Sequence, residues 1–352
     1  MVVRMEQRAS GGVQQRIARK YIFIATNTVA LICFAWFLWN TNWHELGSNI
    51  RHLHWAWLAL AVSADIIVYV WQGWRWGLVL MPVTAVPVWQ AIRAIYVGLF
   101  ANEVLPFRAG EIIRAFLLAR WAEIPISVSL ASALIERIFD GFWLIMCLLL
   151  AIHYTPHVHP FLMRAGIFLS VLVAVCAVFI GFAMYSPEQT LRAVVQNKWL
   201  NWAEVLVTDL HLIGHSRYLY LAGLVSLPYL LLQVVPIYAL MRAFGPLTHL
   251  PVHIAFTMMV FLRLGSAVPQ APGNIGLFQF VAERSLLMFA VPRGVAHGFA
   301  LVLWAVVTLP LLIVGFIALG TTGLDMDELH RQARSHMPGR RKKTAADKPA
   351  LP

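Results

Sequence analysis

The stretch Ala101-Asn102-Glu103-Val104-Leu105-Pro106-Phe107-Arg108-Ala109-Gly110-Glu111-Ile112-Ile113-Arg114 decides how the rest of the chain is read. It sets the acids Glu103 and Glu111 and the bases Arg108 and Arg114 around Pro106 and Gly110, inside an apolar run over 92–120. Proline lacks a backbone donor and glycine adopts positive φ readily, so a helix through this run is interrupted. A second run, over 251–290, breaks at Pro269-Gln270-Ala271-Pro272-Gly273-Asn274-Ile275-Gly276 and carries little charge there. Uninterrupted apolar stretches flank both breaks, at 21–39, Trp55–Leu80, 127–152, 161–184, 218–241 and 297–319. Each is close to the ~20 residues that cross a ~30 Å hydrocarbon core.

Composition agrees with that solvent. The 352 residues are 60% hydrophobic and 12% charged, with a mean hydropathy of +0.71. A soluble domain is about half apolar and a quarter charged. The expected fold is an all-α polytopic membrane protein of about six to eight transmembrane helices, with two opposed hairpins. The hairpins are either re-entrant or opened into shallow spans. Span, hairpin, span occurs twice, entering once from each side, the pattern of an inverted-repeat transporter with its site where the breaks meet.

The net charge of +11 does not indicate nucleic acid. Basic residues cluster at Arg4, Arg8, Arg16, Arg19 and Lys20 and again from Arg331 to Lys343, beside the terminal spans. Short basic flanks stay cytoplasmic, which puts both termini on the cytoplasmic side of a bacterial inner membrane, against anionic lipid headgroups. The chain divides into a basic N-terminus (1–20), a transmembrane domain (21–320) and a basic tail (321–352). The apolar stretch after the basic N-terminus reads as a retained first span, being long and without a small-residue cleavage pattern. Arg75 and Arg93 then fall on the cytoplasmic side, and the loop over 185–217 carries an amphipathic helix near 199–212. The cysteines Cys33, Cys147 and Cys176 lie singly in apolar stretches, so no disulfide, metal site or cofactor is indicated.

Ionisable groups inside a bilayer cost on the order of 2.5–3.5 kcal/mol each by insertion scales, and here they come in groups. Glu136, Arg137 and Asp140 follow in the next span, where one helical turn places Glu136 and Asp140 on one face and Arg137 within reach of Asp140. Together with Arg108, Glu111 and Arg114 they exceed what helix register needs and indicate a hydrated polar cavity. Guanidinium forks there suit phosphate oxygens. Asp65, Arg263 and the pair Glu283/Arg284 are further intramembrane charges, the last pair read equally well as neutralising each other to fix helix register or as part of the polar site. A helix restarting at Gly276 and Leu277 would aim its amides at the cavity. Trp55, Trp57, Trp71, Trp74, Trp76 and Trp89 read as interface anchors, as do the histidines His44, His52, His54, His153, His157, His159, His249 and His253. Gly73-x-x-x-Gly77 would let helices pack closely, within the chain or between two copies in a homodimer. Asp325-x-Asp327 reads as a solvated helix start rather than a metal-binding pair of a nucleotide-sugar transferase.

The run Asn102…Pro106-x-Arg108-x-Gly110-Glu111-x-x-Arg114, then Glu136-Arg137-x-x-Asp140, then Pro269-x-Ala271-Pro272-Gly273-x-Ile275-Gly276 resembles the flippase-like membrane family. That family is typified by the N-terminal membrane domain of lysylphosphatidylglycerol synthase. The resemblance spans roughly Arg19 to Thr322. It implies movement of phospholipid or lipid-linked molecules between leaflets, and association with envelope-lipid pathways such as hopanoid synthesis and their enzymes. The matching positions are Asn102, Pro106, Arg108, Gly110, Glu111, Arg114, Glu136, Arg137, Asp140, Pro272, Gly273 and Gly276. Asn274 departs from the pattern where a second Gly is common, and Gln279 where an acid is common. The second departure removes one proton-carrying group. The aminoacyl-transferase domain is not expected, and with it no lysine transfer. The leading expectation is a lipid translocase, not an enzyme. In it Arg108, Arg114 and Arg137 meet a phosphate while Glu111, Glu136 and Asp140 hold the arginines or exchange protons. A membrane-embedded lipid-modifying enzyme using those carboxylates, and a non-transporting pathway scaffold, are the alternatives.

Overall fold

The computed structural model describes Trp39 and residues 43–105, 109–154, 160–185, 208–210, 213, 216–266 and 272–322. The expected first span, most of the amphipathic segment near 199–212, the basic termini and the residues Pro106, Arg108, Pro269, His157 and His159 lie outside them. The described residues form helices and no strand: α1 (Trp43–Arg51), α2 (Trp55–Leu80), α3 (Val88–Val104), α4 (Gly110–Trp121), α5 (Ile126–Tyr154), α6 (Pro160–Tyr185), α7 (Arg217–Leu232), α8 (Val234–Ala243), α9 (Val252–Ser266), α10 (Leu277–Leu287) and α11 (Arg293–Gly320).

Trp55–Leu80, Arg217–Ala243 and Arg293–Gly320 are each long and apolar enough to cross a bilayer, at 26, 27 and 28 residues. At ~1.5 Å per residue such helices reach roughly 40 Å, more than a hydrocarbon core. α5 and α6 are of similar length, 29 and 26 residues. The protein is therefore an all-α, multi-pass membrane protein. The expected span 218–241 is present within Arg217–Ala243, with its hydrogen-bond ladder interrupted at Gln233, between α7 and α8, where the backbone stays helical (φ −70°, ψ −14°). Pro236 supplies no N–H to the Leu232 carbonyl, so the helical ladder fails one turn before it.

Both interrupted runs fold back as hairpins. In the first, α3 ends at Leu105 (φ −98°, ψ 146°), the extended geometry to which a residue before proline is pushed. The chain restarts at Gly110, whose N–H donates to Asn102 Oδ1 at 2.9 Å. Here α3 and α4 touch backbone to backbone: a Cβ on Gly110 would stand 1.8 Å from the Gly98 carbonyl oxygen. In the second hairpin, α9 and α10 flank a 3-10 turn over Pro272–Asn274. Gly273, Asn274 and Gly276 have φ of 75°, 51° and 90°, values open to glycine and tolerated by asparagine. That explains why asparagine can stand at 274.

The hairpins enter from opposite ends. At the open end of the first, Arg93 lies 4.6 Å over the Trp121 ring and donates to the Thr321 carbonyl. At the open end of the second, His253 stacks on Tyr154 at 5.9 Å and meets Phe289 edge-on at 5.8 Å. Helix α5 starts just after Trp121 and ends at Tyr154, so its length, roughly 40 Å, separates the two ends. The tips meet between them, where Asn274 Nδ2 donates to Glu103 Oε1 at 2.7 Å. Separate apolar cores flank this meeting point, one from α2, α3 and α4, the other mainly from α8, α9, α10 and α11. The Gly73 contact is internal, since a Cβ there would come within 2.5 Å of the Ile92 side chain.

Candidate functional site

Where the tips meet, the structure holds a cavity of about 190 Å³, an order of magnitude more than one water needs. α2 lines it with Asp65, Val68, Tyr69 and Gln72, the i, i+3, i+4, i+7 stripe of one helical face. The first hairpin adds Leu99, Asn102, Glu103 and Glu111, and α5 adds Arg137. Tyr229, Gln233, Arg263, Asn274 and Phe278 close the opposite side, with apolar walls from Met259, Leu262, Val307 and Leu311.

Beside the cavity the charged groups form a closed ring of alternating sign. Arg114 pairs with Glu111 at 2.9 Å and with Glu136 at 3.1 Å. Glu136 pairs with Arg75 at 3.1 Å, and Arg75 also contacts Asp140. Asp140 lies 3.6 Å from Arg137, which returns to Glu111 at 3.5 Å. Three guanidiniums therefore face three carboxylates, each ion touching two of opposite sign. That neutrality offsets the desolvation that would otherwise expel these groups from the membrane. Arg75 has further support from Ser226 Oγ at 3.0 Å and the Tyr229 ring at 4.4 Å, and Arg114 from the Trp76 ring at 4.7 Å.

The ring has a closed side and an open side. Arg75 and Glu136 are wholly buried and Arg114 nearly so, whereas Glu111 and Arg137 are each 41% exposed and line the cavity. Arg114, expected to meet a phosphate, is therefore enclosed between carboxylates and does not line the cavity; Arg137 does. The second cavity guanidinium is Arg263, read from sequence only as an intramembrane charge. It donates to Tyr229 Oη at 3.1 Å and to Gln233 Oε1, and no carboxylate lies within 4 Å of it among the described residues.

Several expectations change on packing. Arg75, expected on the cytoplasmic side, is wholly buried within the ring. Trp76 is not an interface anchor but is buried, donating to Ser132 Oγ at 2.9 Å. Trp71 likewise donates to the Val225 carbonyl at 3.3 Å, while Trp55 and Trp89 are exposed. Glu283 does not neutralise Arg284: it contacts His297 Nδ1 at 3.0 Å and Arg293 at 3.4 Å, and Arg284 lies over the Phe280 ring. Adjacent residues on a helix point apart, which leaves each to find a partner elsewhere. Gly276 N–H, expected to face the cavity as a helix-start donor, is taken by Gln279 Oε1 at 2.7 Å. Gly273 offers its carbonyl to Trp304 Nε1 at 2.8 Å. Among the described residues no group of three His, Cys, Asp or Glu side chains could hold a metal ion.

The family model for the lysylphosphatidylglycerol synthase TM region matches residues 22–315. The chain belongs to this family. The match takes in every residue of the ring and of the cavity, and both hairpins. No curated protein and no solved structure shows a significant match. Sequence reading missed Arg75 and Gln72 in the family domain, although Asp65, Gln72 and Arg75 recur on one face of an apolar helix. That stripe is the signal that could have found them.

Proposed function

We propose that this protein moves a phospholipid or lipid-linked molecule between the leaflets of a bacterial inner membrane, with both termini in the cytoplasm. The observation that carries the reading is the cavity between opposed hairpins, with guanidiniums on two sides and apolar walls between. Arg137 and Arg263 would hold the phosphate of a headgroup, a match of planar donors to tetrahedral oxygens. Val68, Leu99, Met259, Leu262, Val307 and Leu311 would face the first carbons of the tails. The buried part of the ring positions Arg137 and does not touch lipid. The basic segments at either end would lie on anionic headgroups, and lipid-synthesis enzymes are the partners to seek.

A reconstituted assay following fluorescent phosphatidylglycerol across proteoliposomes tests this. Losing a charge-assisted hydrogen bond of about 1.5–3 kcal/mol in Arg137→Ala or Arg263→Ala should slow movement roughly ten- to hundredfold. Unchanged rates in both variants would remove the assigned roles. The enzyme alternative needs the carboxylates as acid and base, yet Glu111, Glu136 and Asp140 are each bound to two arginines. Lipid analysis of a deletion strain separates the readings: a missing lipid species favours modification, an altered leaflet distribution favours transport. If cavity variants stay functional and purification recovers a lipid synthase, the scaffold reading holds instead.

A further inference from the structure

The cavity contains an acid that the ring leaves out. Asp65 lines it from α2 with 5% of the residue exposed, and its Oδ2 has no hydrogen-bond partner among the described residues. It joins none of the ion pairs described above. An ionised carboxylate buried in this way is costly, and a proton or a bound cation relieves the cost. The titratable groups around it are Tyr69 on its own helix, Tyr96 and Glu103 of α3, Glu111 of α4, Arg137 of α5, Tyr229 of α7 and Arg263 of α9. α8 and α11 present only uncharged side chains to the cavity. The ring is neutral in itself; among the described residues Arg263 is a cation outside it that lines the same cavity as the acids Asp65 and Glu103, and it lies within electrostatic reach of Asp140 of the ring.

An anionic headgroup that docks on Arg263 therefore brings a negative charge beside two carboxylates. It also occupies the guanidinium that shares the cavity with Asp65. Both effects favour a proton on Asp65 when the anion is bound, and linkage makes the coupling reciprocal: a protonated Asp65 favours anion entry. We infer that Asp65 is a proton site that loads together with an anionic lipid headgroup, so that lipid and proton cross the membrane together. On entry a proton from the water on one side forms an O–H bond on the Asp65 carboxyl as the phosphate docks. On release the headgroup leaves Arg263, and the same proton passes to water on the other side. No oxidant, reductant or covalent change is required.

The inference rests on the translocase reading. It is tested in phosphatidylcholine vesicles holding the full chain and a trace of fluorescent phosphatidylglycerol in the outer leaflet. Inward movement is compared with equal pH on both sides and with the outside made acidic, while a trapped dye reports internal pH. The expected result is several-fold faster inward movement with acid outside, accompanied by acidification of the lumen. Asp65→Asn should move lipid at one rate with or without the gradient, and Asp65→Glu should keep the response. Lipid movement that ignores the gradient in the unaltered protein, or an equal response in Asp65→Asn, overturns the proton site and leaves the translocase standing. A requirement for sodium instead of a gradient also overturns it. No lipid movement under any condition overturns both.

Discussion

The two hairpins solve one problem by different means. Each must bring irregular backbone to membrane depth, where polar groups have no water to bond. The first does it with charge: α4 carries Glu111 and Arg114 into a ring shared with α2 and α5. The second does it with backbone geometry and neutral amides: positive φ at Gly273, Asn274 and Gly276, a Gln279 cap, and Trp304 on the Gly273 carbonyl. A charged ring fixes position strongly and only as a whole, since each ion depends on its neighbours. Neutral bonds are individually weaker and separable. The first hairpin therefore reads as the fixed wall of the cavity and the second as the wall that yields more readily, with Asn274 and Glu103 joining them.

That contrast predicts a graded series. Glu136→Gln should do most harm, because it leaves Arg75 and Arg114 buried with half their partners; breaking such a pair costs about 3–5 kcal/mol. Thermal unfolding in detergent should show it, and a loss under 1 kcal/mol, taken as a rough bound on a surface pair, would break the view of the ring as one unit. Gly110→Ala should follow, since overpacking of this kind costs about 1–3 kcal/mol and the new Cβ meets backbone that cannot rotate away. Asn274→Gly keeps the turn geometry and removes only the link to Glu103, a charge-assisted bond of about 1.5–3 kcal/mol. It should loosen the tips, seen as faster hydrogen exchange in 272–287 with little change in 88–121. The smallest effect belongs to Gln279→Ala, with the loss of one cap at about 1 kcal/mol. Gln279→Glu should keep the cap, because a carboxylate also accepts from the Gly276 N–H. Equal losses in the two Gln279 variants would mean that the oxygen cap on the Gly276 N–H is not what Gln279 contributes.

Much of this was open to sequence reading, and the reasons are local. Trp55–Leu80 is bounded by its own hydropathy, and both breaks follow from what proline and glycine do to a helix. The Glu136–Asp140 face follows from 3.6 residues per turn, which also brings Arg137 to Asp140 within a single helix. The interruption of the ladder at Gln233 within 218–241 is harder, because Pro228 and Pro236 are tolerated in many membrane helices. Arg75 sits in the last turns of a span, where the charge rule accounts for a basic residue without any buried partner. Its true partners, Glu136 and Asp140, are 61 and 65 residues away.

What the sequence by itself determined is the all-α membrane class, the two broken segments and the presence of intramembrane ions in excess of register. Each is a property of one segment against lipid, fixed by hydropathy, helical period or the chemistry of proline and glycine. Only the tertiary structure decided which ions face which. Packing α2 against α5 closed the ring, turned Arg114 away from the cavity, and left Arg137, Arg263 and Asp65 on its walls. In a medium of low dielectric an ion's role is set by its nearest countercharge, and that neighbour belongs to another helix.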